Sequence, residues 1–153
     1  GHASISTMHA DSVETLIRRL ETPPIELSPT LVNTLDIVAI MTHAIVNKQQ
    51  TRKLKSIVEI VNVNPKGVAV TNTPFVWNPS DNKFYFKRDS RALEKIALKY
   101  GMTKEEIDRE FEIRTRLLIE WYKRKVFGFE HIQQEINEYY KDPQAILKRY
   151  GII

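Results

Sequence analysis

The residues best able to do chemistry gather at the start of the chain, in the run Gly1 to Ser12, GHASISTMHADS. His2 and His9 bracket Ala3-Ser4-Ile5-Ser6-Thr7-Met8, a small, β-favouring run that the strand rules read as a short buried strand. An imidazole titrates near neutrality and can donate to an oxyanion. At the carboxyl end of a strand that runs straight into a helix, it stands where open α/β sheets place their chemistry. A histidine there also serves as a satisfied structural residue, and position alone does not choose. A metal reading is poor: His2, His9, His43 and His131 match no zinc spacing, no carboxylate completes a set, and the chain has no cysteine.

The elements that must position these histidines follow at once. Asp11-Ser12 can cap a helix, although Thr15 rather than Glu or Gln stands three residues after Ser12, so no full capping box forms. Val13, Leu16, Ile17 and Leu20 recur at helical spacing and predict an amphipathic helix over Asp11 to Glu21, ended by Pro23-Pro24. Ser28-Pro29 starts a second helix, and Ile37 to Met41 is a continuous apolar run of strand length. Strand, helix, helix, strand is α/β architecture.

Beyond this the pattern is of hairpins. Asn47-Lys48-Gln49-Gln50 is a polar turn leading into a strand over Arg52 to Val63, with the basic pair Arg52 and Lys53 at its start, where such charges commonly suppress edge aggregation. Asn64-Pro65-Lys66-Gly67 reads as a β-turn, Val68 to Trp77 as a strand broken by Pro74, and Lys83 to Lys87 as a short strand. Basic and aromatic residues interleave in this last strand, a composition used both for stacking single-stranded bases and, more commonly, for cross-strand pairing.

From Ser90 onward the chain reads as helix. Ser90 caps Arg91 to Tyr100, closed by Gly101. Thr103 and Glu106 form a capping box, opening a helix that runs to Phe127 with Ile107, Phe111, Leu118 and Trp121 on its buried stripe. Another helix covers Phe129 to Tyr140, and Asp142-Pro143 starts a last short one. The resulting division is residues 1–88 and a helical subdomain over residues 89–153.

Several stretches together resemble a known family. GHxxxSTxHA, followed by Arg19-Leu20, is similar to the His box of the type II/type IV secretion ATPases, which drive secretion, pilus and archaeal flagellum assembly. Arg19-Leu20 with Pro23-Pro24-Ile25, then Leu35-Asp36-Ile37-Val38, looks like the RLxxPPI…LDIV pattern of the archaeal branch; Ser56 to Ile60 and Met102 to Glu106 look like later segments of it. The resemblance implies the C-terminal part of a RecA-like ATPase core with β-hairpins, followed by an all-α tail. It implies that His9 and His2 act at the catalytic centre by sensing the γ-phosphate, and that Arg19, Arg52 and Lys53 serve nucleotide sensing or a subunit interface. For the full-length parent it implies ATP and Mg2+, a homo-hexamer, a membrane-embedded platform protein as partner, no direct nucleic acid, and a cytoplasmic location peripheral to the membrane through partners. It also makes Gly1 and His2 native residues.

What is missing bears equally on function. A phosphoryl-transfer motor needs a glycine-rich loop with its lysine and an acidic strand end for magnesium. The five glycines are isolated, no GxxxxGK[ST] occurs, and the chain alone is expected neither to hold ATP tightly nor to hydrolyse it. At 153 residues and 42% hydrophobic it can bury a substantial core, and no apolar run reaches the length of a membrane span. Net charge is +4, with the basic excess over residues 51–87, where six bases face only Glu59 and Asp81. That is a weak signal for nucleic acid. The alternatives to a motor fragment are a stand-alone helical protein-interaction module and a nucleic-acid-binding RecA-like fragment.

Overall fold

The computed structural model describes residues 3–46, 48–87 and 90–153 and shows a mixed α/β chain with a four-stranded antiparallel sheet and six α-helices among them. The chain divides into two compact units, Gly1–Lys95 and Ile96–Ile153, the boundary falling within one helix.

In the first unit, α1 (Val13–Glu21) is capped by Ser12, whose hydroxyl accepts from the Thr15 N–H at 3.1 Å, and it carries Arg18 and Arg19 in its last turn, where cations complement the carbonyl end. The short α2 (Pro29–Val32) starts from Ser28 with proline in its first turn. A meander follows: β1 (Ile37–Val46), β2 (Gln49–Val63), β3 (Ala69–Asn78) and β4 (Lys83–Phe86), each antiparallel to the one before. Val13, Ile17 and Val32 bury against Val58, Ile60 and Val63. Leu20, Leu27, Leu35, Val38 and Ile40 close this core, so the two helices cover the sheet and fix the direction in which α1 leaves it.

Three expectations are corrected here. Residues 3–9 do not form a buried strand; they are exposed and without secondary structure, Ile5 fully so. A β-favouring run needs a neighbouring strand for its backbone groups, and none lies beside it among the described residues. The strand-helix-helix-strand alternation is accordingly replaced by two helices and an antiparallel meander. Nor does Pro74 break its strand: β3 is continuous, and the register slips from Ile57↔Phe75 to Glu59↔Asn72 there. The extra residue of that bulge needs no ladder hydrogen bond, so a residue lacking an N–H fits.

The turn Asn64 to Gly67 forms as expected, Gly67 N–H donating to the Asn64 carbonyl at 2.9 Å with Gly67 at φ 74°. Gly67 is also pressed against the Glu21 carboxylate, which a Cβ there would meet at 2.4 Å.

The linking helix α3 (Arg91–Tyr100) and the helices α4 (Lys104–Lys123), α5 (Phe129–Lys141) and α6 (Pro143–Arg149) complete the chain. Thr103 and Glu106 close the capping box of α4, and Asp142 caps α6 through the Ala145 N–H at 3.0 Å. The second core is Leu117, Trp121, Tyr139, Ile146, Leu147 and Tyr150.

Two details of α4 differ from the sequence reading. Its inward stripe is Ile107, Ile113, Leu117 and Trp121, leaving Phe111 and Leu118 at 40% and 60% exposure, because one residue of phase turns a side chain by about 100°. It also stops at Lys123 rather than Phe127. Lys125 takes φ 57°, with Lys125 N–H on the Tyr122 carbonyl and Val126 N–H on the Trp121 carbonyl, a Schellman ending with lysine in the usual place of glycine. Among the described residues no helix is long and apolar enough to cross a membrane.

Candidate functional site

His9 lies on the extended run just ahead of the α1 cap, with its side chain open to solvent. Next to the cap, the Asp11 carboxyl is held below its usual range, first by the Thr15 hydroxyl and then by its own backbone N–H. Slight desolvation opposes this, and the charges of Lys55 and Arg19 add to the lowering. Lys55 comes from β2, where the register slips between Ile40 and Met41 and leaves it without a paired residue on β1. Thus Asp11 stands just ahead of the α1 cap, the last turn of α1 supplies Arg19, the β2 bulge supplies Lys55, and His9 enters along the chain. Asp11 and the exposed Glu14 here stand against Lys55 and Arg19, and His9 precedes them in the chain with its side chain in solvent.

The remaining expected site residues stand elsewhere. Arg52 pairs in register with His43, and Lys53 with Thr42, on the β1–β2 ribbon. Lys53 Nζ lies 5.7 Å over the Phe84 ring, and Phe84 in turn stacks on Phe75 at 5.4 Å. The Tyr85 hydroxyl donates to Asp81. These aromatic groups are engaged within the sheet, as cross-strand pairs are. His2 lies outside the described residues. Among those described, no group of His, Asp and Glu side chains converges as a metal ligand set would.

Glu59 is the most thoroughly built polar position, and it was not among the site residues expected from the sequence. It is 3% exposed in the middle of β2. Its oxygens accept from Ser90 Oγ at 2.5 Å, Asn72 Nδ2 at 2.8 Å, and the backbone N–H groups of Arg91 at 2.8 Å and Ala92 at 3.2 Å. Desolvation pushes its pKa up, but the Ser90, Asn72 and backbone hydrogen bonds together outweigh that and hold the carboxyl below its usual range. With both oxygens occupied it acts as a strut fixing the start of α3 to the sheet, not as an acid or base. The signal available was an acid inside the apolar run Ile57-Val58-Glu59-Ile60-Val61.

No family model matches the chain. It is 34% identical over 140 residues to the uncharacterized protein MJ1287 of Methanocaldococcus jannaschii, a match covering 91% of this chain and 52% of that protein. To MJ0900 of the same organism, also uncharacterized, it is 31% identical over 92% of the chain and 26% of the relative. A third uncharacterized protein of that organism, MJ0781, is 26% identical over 93% of the chain and 20% of its own length. The chain thus spans about half the length of the first of these relatives and less of the others.

Proposed function

We propose that this chain is the C-terminal portion of an ATPase of the secretion, pilus or archaeal flagellum assembly type, contributing a nucleotide-state sensor and a helical interaction tail. The observation that carries this reading is the His box stretch itself: a solvent-open His9 ahead of a capped helix whose last turn presents Arg19, with Asp11 between them in the field of Arg19 and Lys55. An exposed imidazole can donate to a γ-phosphate oxygen and lose that contact on hydrolysis, which makes a two-position switch. Nearly full coverage of this chain against partial coverage of longer relatives also fits a segment of a larger protein.

In this reading the RecA-like core is completed by the parent, which carries the phosphate loop and the acidic magnesium strand within roughly a hundred residues before Gly1. The parent binds ATP with Mg2+, assembles as a homo-hexamer and works in the cytoplasm against a membrane-embedded platform protein. Arg19, Arg52 and Lys53 then serve nucleotide sensing or a subunit interface. The deciding experiment is the coding sequence upstream of Gly1 together with ATPase assays. A reading frame lacking a phosphate loop there, or ATP turnover by the pure chain, would sink the proposal.

A second reading, a stand-alone helical interaction module, is favoured by the compactness of Ile96–Ile153 with its own core. It forecasts a folded monomer that binds its partner with nucleotide absent.

A further inference from the structure

We infer that the end of the helical unit where α4 turns into α5 is an interfacial anchor for an anionic lipid bilayer. Tyr122, Phe127 and Phe129 are 73%, 64% and 81% exposed. Scattered apolar residues on a surface are ordinary, but three aromatic rings within one helix end and its turn form a patch. Tyr122 and Phe127 pack edge to face at 5.9 Å, and the Schellman ending at Lys125 fixes the backbone between them, so the rings are presented on a shaped turn.

The surrounding charge names the occupant. From Trp121 to Phe129 the chain holds Lys123, Arg124 and Lys125 and no acid. The last turn of α6 adds Lys148 near the same end, since its neighbour Arg149 and Arg124 both lie over the Tyr150 ring, at 5.9 and 4.6 Å; Arg149 itself is paired with Glu135 and Glu138. Two carboxylates flank this run: Glu120, which pairs with Lys123 and Arg124, and the exposed Glu130. Lys125 and Lys148 make no ion pair among the described residues. Exposed aromatic rings flanked by long cationic side chains match the chemistry of an anionic headgroup layer: the rings settle at the acyl boundary while the ammonium groups reach the phosphates. This surface belongs to the helical unit alone and does not rest on the motor reading. It gives the chain a direct membrane contact besides any made through partners.

The test is cosedimentation of the whole chain with phosphatidylglycerol vesicles and, separately, phosphatidylcholine vesicles at moderate salt. The chain should pellet with the first and not the second, more weakly as salt rises. Phe127→Ser with Phe129→Ser should cut partitioning about tenfold or more, as should Lys123→Glu with Lys125→Glu. All four side chains are exposed, so thermal melts should match the parent chain; Phe129→Ser alone serves if the double variant does not fold. Three results would overturn the inference: no binding to anionic vesicles; binding that survives loss of both rings, which marks charge alone; or a concentration-dependent dimer abolished by the ring substitutions without vesicle binding, which assigns the patch to a second copy.

Discussion

Ser90 Oγ donates to Glu59 Oε1 at 2.5 Å, so a side chain in the middle of β2 and the residue that starts α3 share one buried hydrogen-bonded unit. The same carboxylate receives the Arg91 and Ala92 N–H groups, which α3 leaves without intrahelical partners. Replacing Glu59 by Ala removes the acceptor shared by these N–H groups, the Ser90 hydroxyl and Asn72 Nδ2, and should cost about 2–4 kcal/mol in urea unfolding. Ser90→Ala leaves the Arg91 and Ala92 N–H groups on Glu59 but removes the side-chain acceptor of the Leu93 N–H, and should cost about 1–2 kcal/mol.

The same network makes a pH forecast. The folded-state pKa of Glu59 is lowered, so its contribution is complete above the ordinary glutamate value of about 4.3 and is lost as pH falls from there through the lower folded value. Acid unfolding of the unmodified chain should therefore be steeper in that window than that of Glu59→Gln, whose side chain does not titrate. Parallel acid limbs for the two proteins would contradict this assignment.

Asn33 clamps the end of β2. Its Oδ1 accepts from the Val63 N–H at 2.5 Å and its Nδ2 donates to the Val63 carbonyl at 3.0 Å, doing at one residue what a neighbouring strand would do. Asn33→Ala should destabilise the first unit by roughly 1–3 kcal/mol, and hydrogen exchange at Val63 should rise by more than at Val58.

Lys125 sits at φ 57° in a Schellman ending, where glycine closes α3 and α6 at Gly101 and Gly151. A β-carbon in that conformation costs about 1 kcal/mol. Lys125→Gly should therefore stabilise the helical unit by about that amount, read as a rise in Tm of a few degrees.

For His9 the forecast concerns the full-length parent. Its side chain is exposed, so His9→Ala should leave Tm unchanged; if it senses the γ-phosphate, nucleotide affinity should hold while turnover falls by about 10²-fold or more. Measuring Tm, affinity and ATPase rate on one variant separates this from a packing role, which would lower all three together.

Local punctuation was legible in the residues themselves. Ser12, Ser28, Ser90, Thr103 with Glu106, and Asp142-Pro143 each mark a helix start that forms, because capping is decided by a few adjacent atoms. What depends on distant partners was not. Ala3 to Met8 has strand composition without a strand beside it; Pro74 is tolerated because of a bulge set by the β2–β3 register; and the buried face of α4 is chosen by Trp121 and Leu117 meeting α5 and α6. His9 and Arg19 were singled out through the family resemblance, and both side chains are exposed. Lys55 and Glu59 were not, since a lysine in a bulge and an acid on an inward face read locally as ordinary strand residues.

One consequence of the meander concerns handling the chain in solution. β1 is an outermost strand, IVAIMTHAIV, with no charged side chain and no proline, and Ile37, Met41 and Ile45 are 45%, 60% and 74% exposed along it. Its free row of amides is a template on which identical strands can stack, and nothing in its own composition repels them. At high concentration the isolated chain should gel or precipitate through this strand, faster as salt screens the net charge of +4. A single Met41→Lys should act as a gatekeeper and keep it in solution.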